Sequence, residues 1–135
     1  MPRLSKDFTS EEFACRCCGV TSVDPKLVAA LQQMRDMVGV PIHINSGYRC
    51  PKHNAQVGGT KGSMHLFGKA ADIVIQGYNV RGMLDAAYKI QDFLDGGIGI
   101  YPQEGFIHVD VRGHSARWAR VNRRYVSLNE GLMYC

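Results

Sequence analysis

Three residues in this 135-residue chain have the types and spacing for metal chemistry: His65, Asp72 and His108. Two imidazoles and one carboxylate are a ligand set for catalytic zinc, leaving the fourth tetrahedral position for water. An ion with that vacancy polarises a carbonyl and activates the water that attacks it. Asp72 is the informative member of the set. It lies in the apolar run Ala71-Asp72-Ile73-Val74-Ile75, where an unpaired carboxylate is costly to bury, so a metal or an arginine must answer it. The other histidines carry less. His43 alternates to the face opposite Ile42 and Ile44, while His53 and His114 sit in polar segments and are expected at the surface.

The five cysteines pose a second question. Cys15, Cys17 and Cys18 form a C-x-C-C cluster, Cys50 stands alone and Cys135 is the last residue. An odd number argues against a complete disulfide framework. Cys15, Cys17, Cys18 and Cys50 could hold a second, structural ion in a closed four-thiolate site. The adjacency of Cys17 and Cys18, and the lack of C-x-x-C spacing, favour instead buried or partly disulfide-bonded thiols.

Elements able to position these residues follow along the chain. Thr9 with Glu12 three residues later is a capping-box pattern, predicting a short helix that Gly19 and the cysteines interrupt. Asp24 as cap and Pro25 at the first helical position open a second helix, with Leu27, Val28, Leu31, Met34 and Val38 on one face and Gly39 at its end. Alternation predicts strands over 40–45 and 69–75. Between them lie a turn-rich segment from Ser46 to Pro51, a polar stretch to Gly59, and a loop or single helical turn over 62–68. A third helix is predicted over 80–94, capped by Asn79. Strands over 98–101 and 106–111 form a hairpin across Pro102-Gln103-Glu104-Gly105. Trp118 is expected to cap the core, with a place beside the groove as the alternative. The basic tail, 119–135, shows no periodicity that places it. The order of elements suggests one α+β domain over 1–135, with helices packed on a small antiparallel sheet and the metal site in a groove on that sheet.

Bulk properties fit one globular domain: 45% hydrophobic and 21% charged residues. No apolar run is long enough to span a membrane, and no apolar segment follows the first charged residues, so no secretory leader is expected. The net charge is +4, with Arg112, Arg117, Arg120, Arg123 and Arg124 gathered late. Aromatic residues are sparse there, so these read as a solvated basic surface and nucleic acid is not the expected partner.

Ser63-Met64-His65-Leu66-Phe67-Gly68-Lys69-Ala70-Ala71-Asp72 resembles the S-x-H-x-x-G-x-A-x-D signature of the zinc D-alanyl-D-alanine carboxypeptidases, a family that includes bacteriophage endolysin peptidases and cell-wall endopeptidases. Ser46-Gly47-Tyr48-Arg49 is similar to its S-G-[YF]-R segment, and Phe106-Ile107-His108-Val109-Asp110 to its closing H-x-D strand. The resemblance spans about residues 8–118. It implies that His65, Asp72 and His108 ligate one catalytic Zn2+, that Arg49 binds a substrate carboxylate or carbonyl, and that Ser63 lines the site. The planar guanidinium of Arg49 suits such bidentate recognition, and Gly68 would let the backbone turn so that His65 and Asp72 face one ion.

Several branches of the family place a general base three residues before the second histidine; here that position is Gly105. Two acids are close. Asp110 shares a strand face with His108, which favours it as the base, and Glu104 in the hairpin loop is the less favoured choice. Asp110 could instead orient a ligand or pair with an arginine. The implied function is zinc-dependent hydrolysis of a peptide bond in peptidoglycan stem peptides, of carboxypeptidase or endopeptidase type, with phage or prophage lysis as a setting. The implied protein is a monomer made in the bacterial cytoplasm that acts on the wall after release. The alternative is a non-catalytic zinc-binding module that recognises wall peptides.

Overall fold

A computed structural model describes residues 2–135. Its frame is one six-stranded sheet: β1 Ile42–Ser46, β2 Ala70–Ile75, β3 Gly97–Tyr101, β4 Phe106–Asp110, β5 Ala116–Val121 and β6 Arg124–Val126, in the order β1-β2-β4-β3-β5-β6. The helices are α1 Pro25–Val38, α2 Pro51–Gln56, α3 Val80–Ala87, α4 Gln91–Leu94 and α5 Leu128–Leu132. Two 3-10 turns, Ser10–Phe13 and Met64–Phe67, complete the elements. The α+β class is as expected.

Strand alternation divides the sheet into an apolar face and a chemical face. Ile73, Ile98, Ile100, Ile107, Val109 and Ala119 point to the core, where Leu27, Leu31 and Met34 of α1 and Met83 and Ala87 of α3 meet them. Each such fully buried aliphatic side chain contributes about 1.5–3 kcal/mol. The opposite face carries one row of paired residues across five strands: Ser46 opposite Asp72, Asp72 opposite His108, His108 opposite Gly99, and Gly99 opposite Trp118. That register brings Asp72 and His108, 36 residues apart in sequence, side by side.

Gly99 is glycine because of what crosses it. A Cβ there would collide with the Trp118 indole, which lies across the bare backbone and reaches the His108 ring at 4.8 Å between centroids. We expect Gly99→Ala to lift the indole, destabilise the fold by about 1–3 kcal/mol, and shift the emission of Trp118. The chain has one tryptophan, so fluorescence and urea unfolding report both effects directly; unchanged emission would mean the indole does not rest on Gly99.

Several expectations need correction. The helix predicted over 80–94 is two helices. Its hydrogen bonds tighten at Lys89 and Ile90, and Ile90 turns extended (φ −104°, ψ 114°) to cap α4, which lets both Ile90 and Phe93 bury. The polar stretch after Pro51 is helix α2, with Pro51 at its first turn and the Cys50 sulfur accepting the His53 N–H at 3.4 Å. The sheet is larger than expected and not wholly antiparallel, because the unplaced tail supplies β6 and α5, and β5 lies parallel to β3. A two-residue turn with positive φ at Asn122 and Arg123 joins β5 to β6. The late arginines are mostly engaged, not simply solvated. Arg112 grips Asp110, Arg117 donates to the Gly96 and Leu94 carbonyls, and Arg120 packs on Tyr125. No helix among the described residues is long and apolar enough to cross a membrane.

Candidate metal centre

His65 arrives on the 3-10 turn Met64–Phe67, capped by Ser63, whose hydroxyl accepts the His65 N–H at 3.3 Å. Gly68 closes that turn in the left-handed region (φ 69°), where its amide reaches the His65 carbonyl and its carbonyl accepts the Asp24 N–H. A side chain at Gly68 would meet the Ser22 carbonyl, so both the backbone angle and the contact demand glycine. The next residues run directly into β2 and deliver Asp72.

The ring nitrogens sort themselves by their partners. His65 Nδ1 donates to the Gly47 carbonyl at 2.7 Å, which turns Nε2 toward Asp72 Oδ1 at 3.2 Å. His108 Nε2 donates to Asp110 Oδ2 at 2.7 Å, which turns Nδ1 toward the same Asp72 oxygen at 3.2 Å. His65 Nε2, Asp72 Oδ1 and His108 Nδ1 thus converge within 4.8 Å of one another. With the ring protons committed to Gly47 and Asp110, three lone-pair-bearing atoms face each other in a site where His65 and His108 are 2% and 5% exposed. A divalent cation is the partner that such a donor set fits.

Electrostatics agree. Burial works to raise the Asp72 pKa, but with no ion bound the two imidazoles can each carry a second proton toward it, and they outweigh burial and hold the carboxyl well below its usual range. Its other oxygen, Oδ2, accepts from Arg49 Nη2 at 3.2 Å. The buried aspartate is therefore answered on one oxygen by an arginine, with the other left to the imidazoles and an ion. Arg49 is itself braced, with Nε on Ser46 Oγ at 3.3 Å and Nη1 on Asn54 Oδ1 at 3.2 Å. Three of its five N–H donors are used, leaving two for a ligand.

The triad opens onto a cleft of about 300 Å³ lined by Arg49, Ser63, Met64, His65, Tyr101, His108, Arg112, Trp118 and Tyr125 among others. Arg49 and Ser63 therefore both line the cleft. Trp118 borders it and does not cap the core. Tyr101 and Tyr125 carried no signal in the sequence, since Tyr101 closes an apolar strand and Tyr125 belongs to the tail, and Arg112 reads there only as part of a basic surface. Burial pushes the Tyr101 hydroxyl pKa well up, more than a contact with Trp118 pulls it down.

Asp110 does share a face with His108, but it lies beyond the ring. It is 0% exposed, and every contact it makes accepts a hydrogen: Oδ1 from the Gly97 and Arg112 amides at 2.8 and 3.1 Å, Oδ2 from His108 Nε2 and Arg112 Nη2, both at 2.7 Å. Burial works to raise its pKa, and His108 and Arg112 overcome this and hold it well below the usual range. A carboxylate in this position orients the imidazole. The expectation that it points at the ion is corrected: the period of two gives the face but not which side of the ring the carboxylate contacts. Glu104 is exposed on the hairpin turn and is not among the cleft-lining residues, none of which is an aspartate or glutamate. His43 and His114 are exposed and His53 half-buried, all outside the cleft lining. The sulfurs of Cys15, Cys18 and Cys50 come together as a separate group, with no disulfide.

Comparison with known proteins completes the picture. The model of the family described as Peptidase M15 matches residues 6–110, a span holding all three triad residues and Arg49. The chain is 32% identical over 100 residues to a protein of Haemophilus influenzae described as "Probable peptidoglycan L,D-endopeptidase MepK". The match covers 68% of this chain and 52% of that protein, so the chain spans about half the length of its curated relative. With a match over most of its length and a two-histidine, one-aspartate cluster at the heart of that match, this chain belongs to the Peptidase M15 family.

Proposed function

We propose that the chain is a zinc-dependent peptidase that hydrolyses a peptide bond in peptidoglycan stem peptides, acting as a single catalytic unit. The observation that supports this best is the convergence of His65 Nε2, Asp72 Oδ1 and His108 Nδ1 beside a cleft lined by a partly free arginine. Zinc held by those three atoms supplies Lewis-acid activation of the scissile carbonyl and of the attacking water. Asp110 holds His108 in the tautomer that turns Nδ1 inward, and the Gly47 carbonyl does the same for His65 Nε2. Arg49 offers its two spare donors to a substrate carboxylate or carbonyl, and Trp118 and Tyr101 form apolar walls. Glu104 is exposed on the turn that follows Tyr101, outside the cleft lining, and in this reading it would have to swing in to take a proton from the attacking water. The description of the Haemophilus relative favours the endopeptidase form over the carboxypeptidase form.

The absence of a carboxylate among the cleft-lining residues favours a second reading, a zinc-binding module that recognises wall peptides without cutting them. Incubating zinc-loaded protein with muropeptides and following their masses separates the two. Cleavage that stops on chelation and returns with zinc supports the peptidase, and binding without cleavage at any enzyme ratio supports the module. In the same assay Arg49→Lys is expected to retain the metal but lose about 100-fold in kcat/KM, ~2.7 kcal/mol. A point charge cannot bridge Ser46, Asn54 and Asp72 while also binding substrate. Glu104→Gln should lower kcat with metal content unchanged; full turnover would remove Glu104 from the proton's path.

A further inference from the structure

We propose that Cys15, Cys17, Cys18 and Cys50 bind a second zinc ion, a closed structural site that staples the N-terminal segment to the strap carrying Gly47 and Arg49. The sulfurs of Cys15, Cys18 and Cys50 lie within 4.8 Å of one another although 35 residues separate Cys15 from Cys50. Zinc–sulfur bonds of about 2.3 Å place tetrahedral thiolates ~3.8 Å apart, so a small contraction forms the site. A disulfide would consume two of these sulfurs and strand the third. The thiols are unbonded, and Cys17 falls outside that group of three, but its exposed side chain neighbours Cys50 and would complete the four by rotating inward.

The backbone around the cluster is arranged as it is around metal-bound thiolates. The Cys15 sulfur accepts the Cys50 N–H at 3.4 Å, and the Cys50 sulfur accepts the His53 N–H at 3.4 Å. The amides of Cys17 and Cys18 also turn toward Cys15, and that of Val20 toward Cys18. The loop closes on itself, with the Cys15 N–H on the Val20 carbonyl, the Gly19 N–H on the Cys15 carbonyl, and Gly19 at φ 76°. Thiolates are a soft donor set of the kind that zinc takes in closed sites. Four sulfur donors leave no vacant position, so the ion is structural.

The site has a consequence for the catalytic face. The Tyr48 N–H bonds the Phe13 carbonyl at 2.9 Å, and the Arg49 N–H bonds the His65 carbonyl at 3.1 Å. Clamping Cys50 to Cys15 thus holds both the Gly47 carbonyl that orients His65 and the guanidinium that meets Asp72.

The test is a metal count and a cobalt spectrum on the full chain purified under reducing conditions. Wild type is expected to hold two zinc equivalents, and His65→Ala and Cys18→Ser one each. Cobalt-loaded wild type and His65→Ala should both show intense sulfur-to-cobalt charge-transfer absorption, which Cys18→Ser loses. Cys17→Ser should release this ion to a chelator faster than wild type. Because wild type and His65→Ala carry the spectroscopic test, it stands even if Cys18→Ser fails to fold. A metal-free His65→Ala, a cobalt protein without thiolate absorption, or a mass two hydrogens short per cysteine pair would overturn the site. Failure of muropeptide cleavage would touch only the function proposed for the histidine–aspartate centre.

Discussion

Replacing His65 with alanine is expected to remove the metal of the histidine–aspartate centre and cut muropeptide hydrolysis by about 10⁴-fold or more, ~5.4 kcal/mol at 1.36 kcal/mol per decade. His65 supplies one of three donor atoms, and two remaining donors do not make a catalytic zinc site. The backbone does not depend on the ring. The His65 carbonyl still takes the Arg49 and Gly68 amides, and Ser63 still caps the turn. The fold is therefore expected to survive, with a destabilisation of about 1–3 kcal/mol from the vacated ring and the weakened surroundings of Asp72. Circular dichroism checks the fold, inductively coupled plasma analysis counts the ion, and muropeptide masses give the rate. A variant that folds, holds as many zinc equivalents as wild type, and still turns over would remove His65 from the ligand set.

What the sequence shows and what it hides follow from the range of the interactions. The triad was legible because Asp72 breaks an apolar strand pattern, an anomaly visible in one dimension, and because the motif spacing around His65 and Gly68 repeats a known signature. Helix α1 was legible because its cap, first-turn proline, apolar face and terminal glycine agree. The break between α3 and α4 was hidden because the apolar spacing of Met83, Leu84, Ala87, Ile90 and Phe93 runs through it unbroken; only the packing of the extended Ile90 shows the turn. The β5–β6 turn was hidden because Asn122-Arg123 adopts two positive φ values with no glycine to mark them. That turn is held from outside, by Gln103 bonding Asn122 at 2.7 and 2.9 Å, a contact no local pattern encodes.

The same distinction explains why the site's supporting residues were harder to read than its ligands. Alternation placed Asp110 beside His108 on one face, and that much is real. The side of the ring it occupies depends on Gly97, 13 residues away on β3, and on how the neighbouring Arg112 folds back onto the carboxylate. Gly97 has to be small, because a Cβ there would enter the carboxylate of Asp110. Likewise the nitrogen that faces Asp72 differs between the two histidines, Nε2 for His65 and Nδ1 for His108, and each is set by an acceptor that the motif does not include.

Asp110→Asn is where this geometry makes its sharpest demand. All of the contacts to the carboxylate come from donors, and an amide offers one acceptor atom and one donor atom. If the Asn amide nitrogen faces His108, that ring accepts at Nε2 and carries its proton on Nδ1, the atom that faces Asp72 and the ion; the wrong tautomer then blocks ligation. If the amide flips, its nitrogen meets the Gly97 and Arg112 amides, and those N–H groups lose their acceptor. Either orientation also leaves the half-buried Arg112 without its charge partner. We expect zinc affinity or kcat/KM to fall by about 10–100-fold, with a loss of roughly 1–3 kcal/mol in stability. Competition with a chromogenic chelator measures the affinity, urea unfolding measures the stability, and the direction of the ring proton is read from nitrogen shifts of His108. A fold and zinc affinity both unchanged, with hydrolysis alone lost, would return Asp110 to the role of proton acceptor and require the carboxylate to leave the ring during turnover.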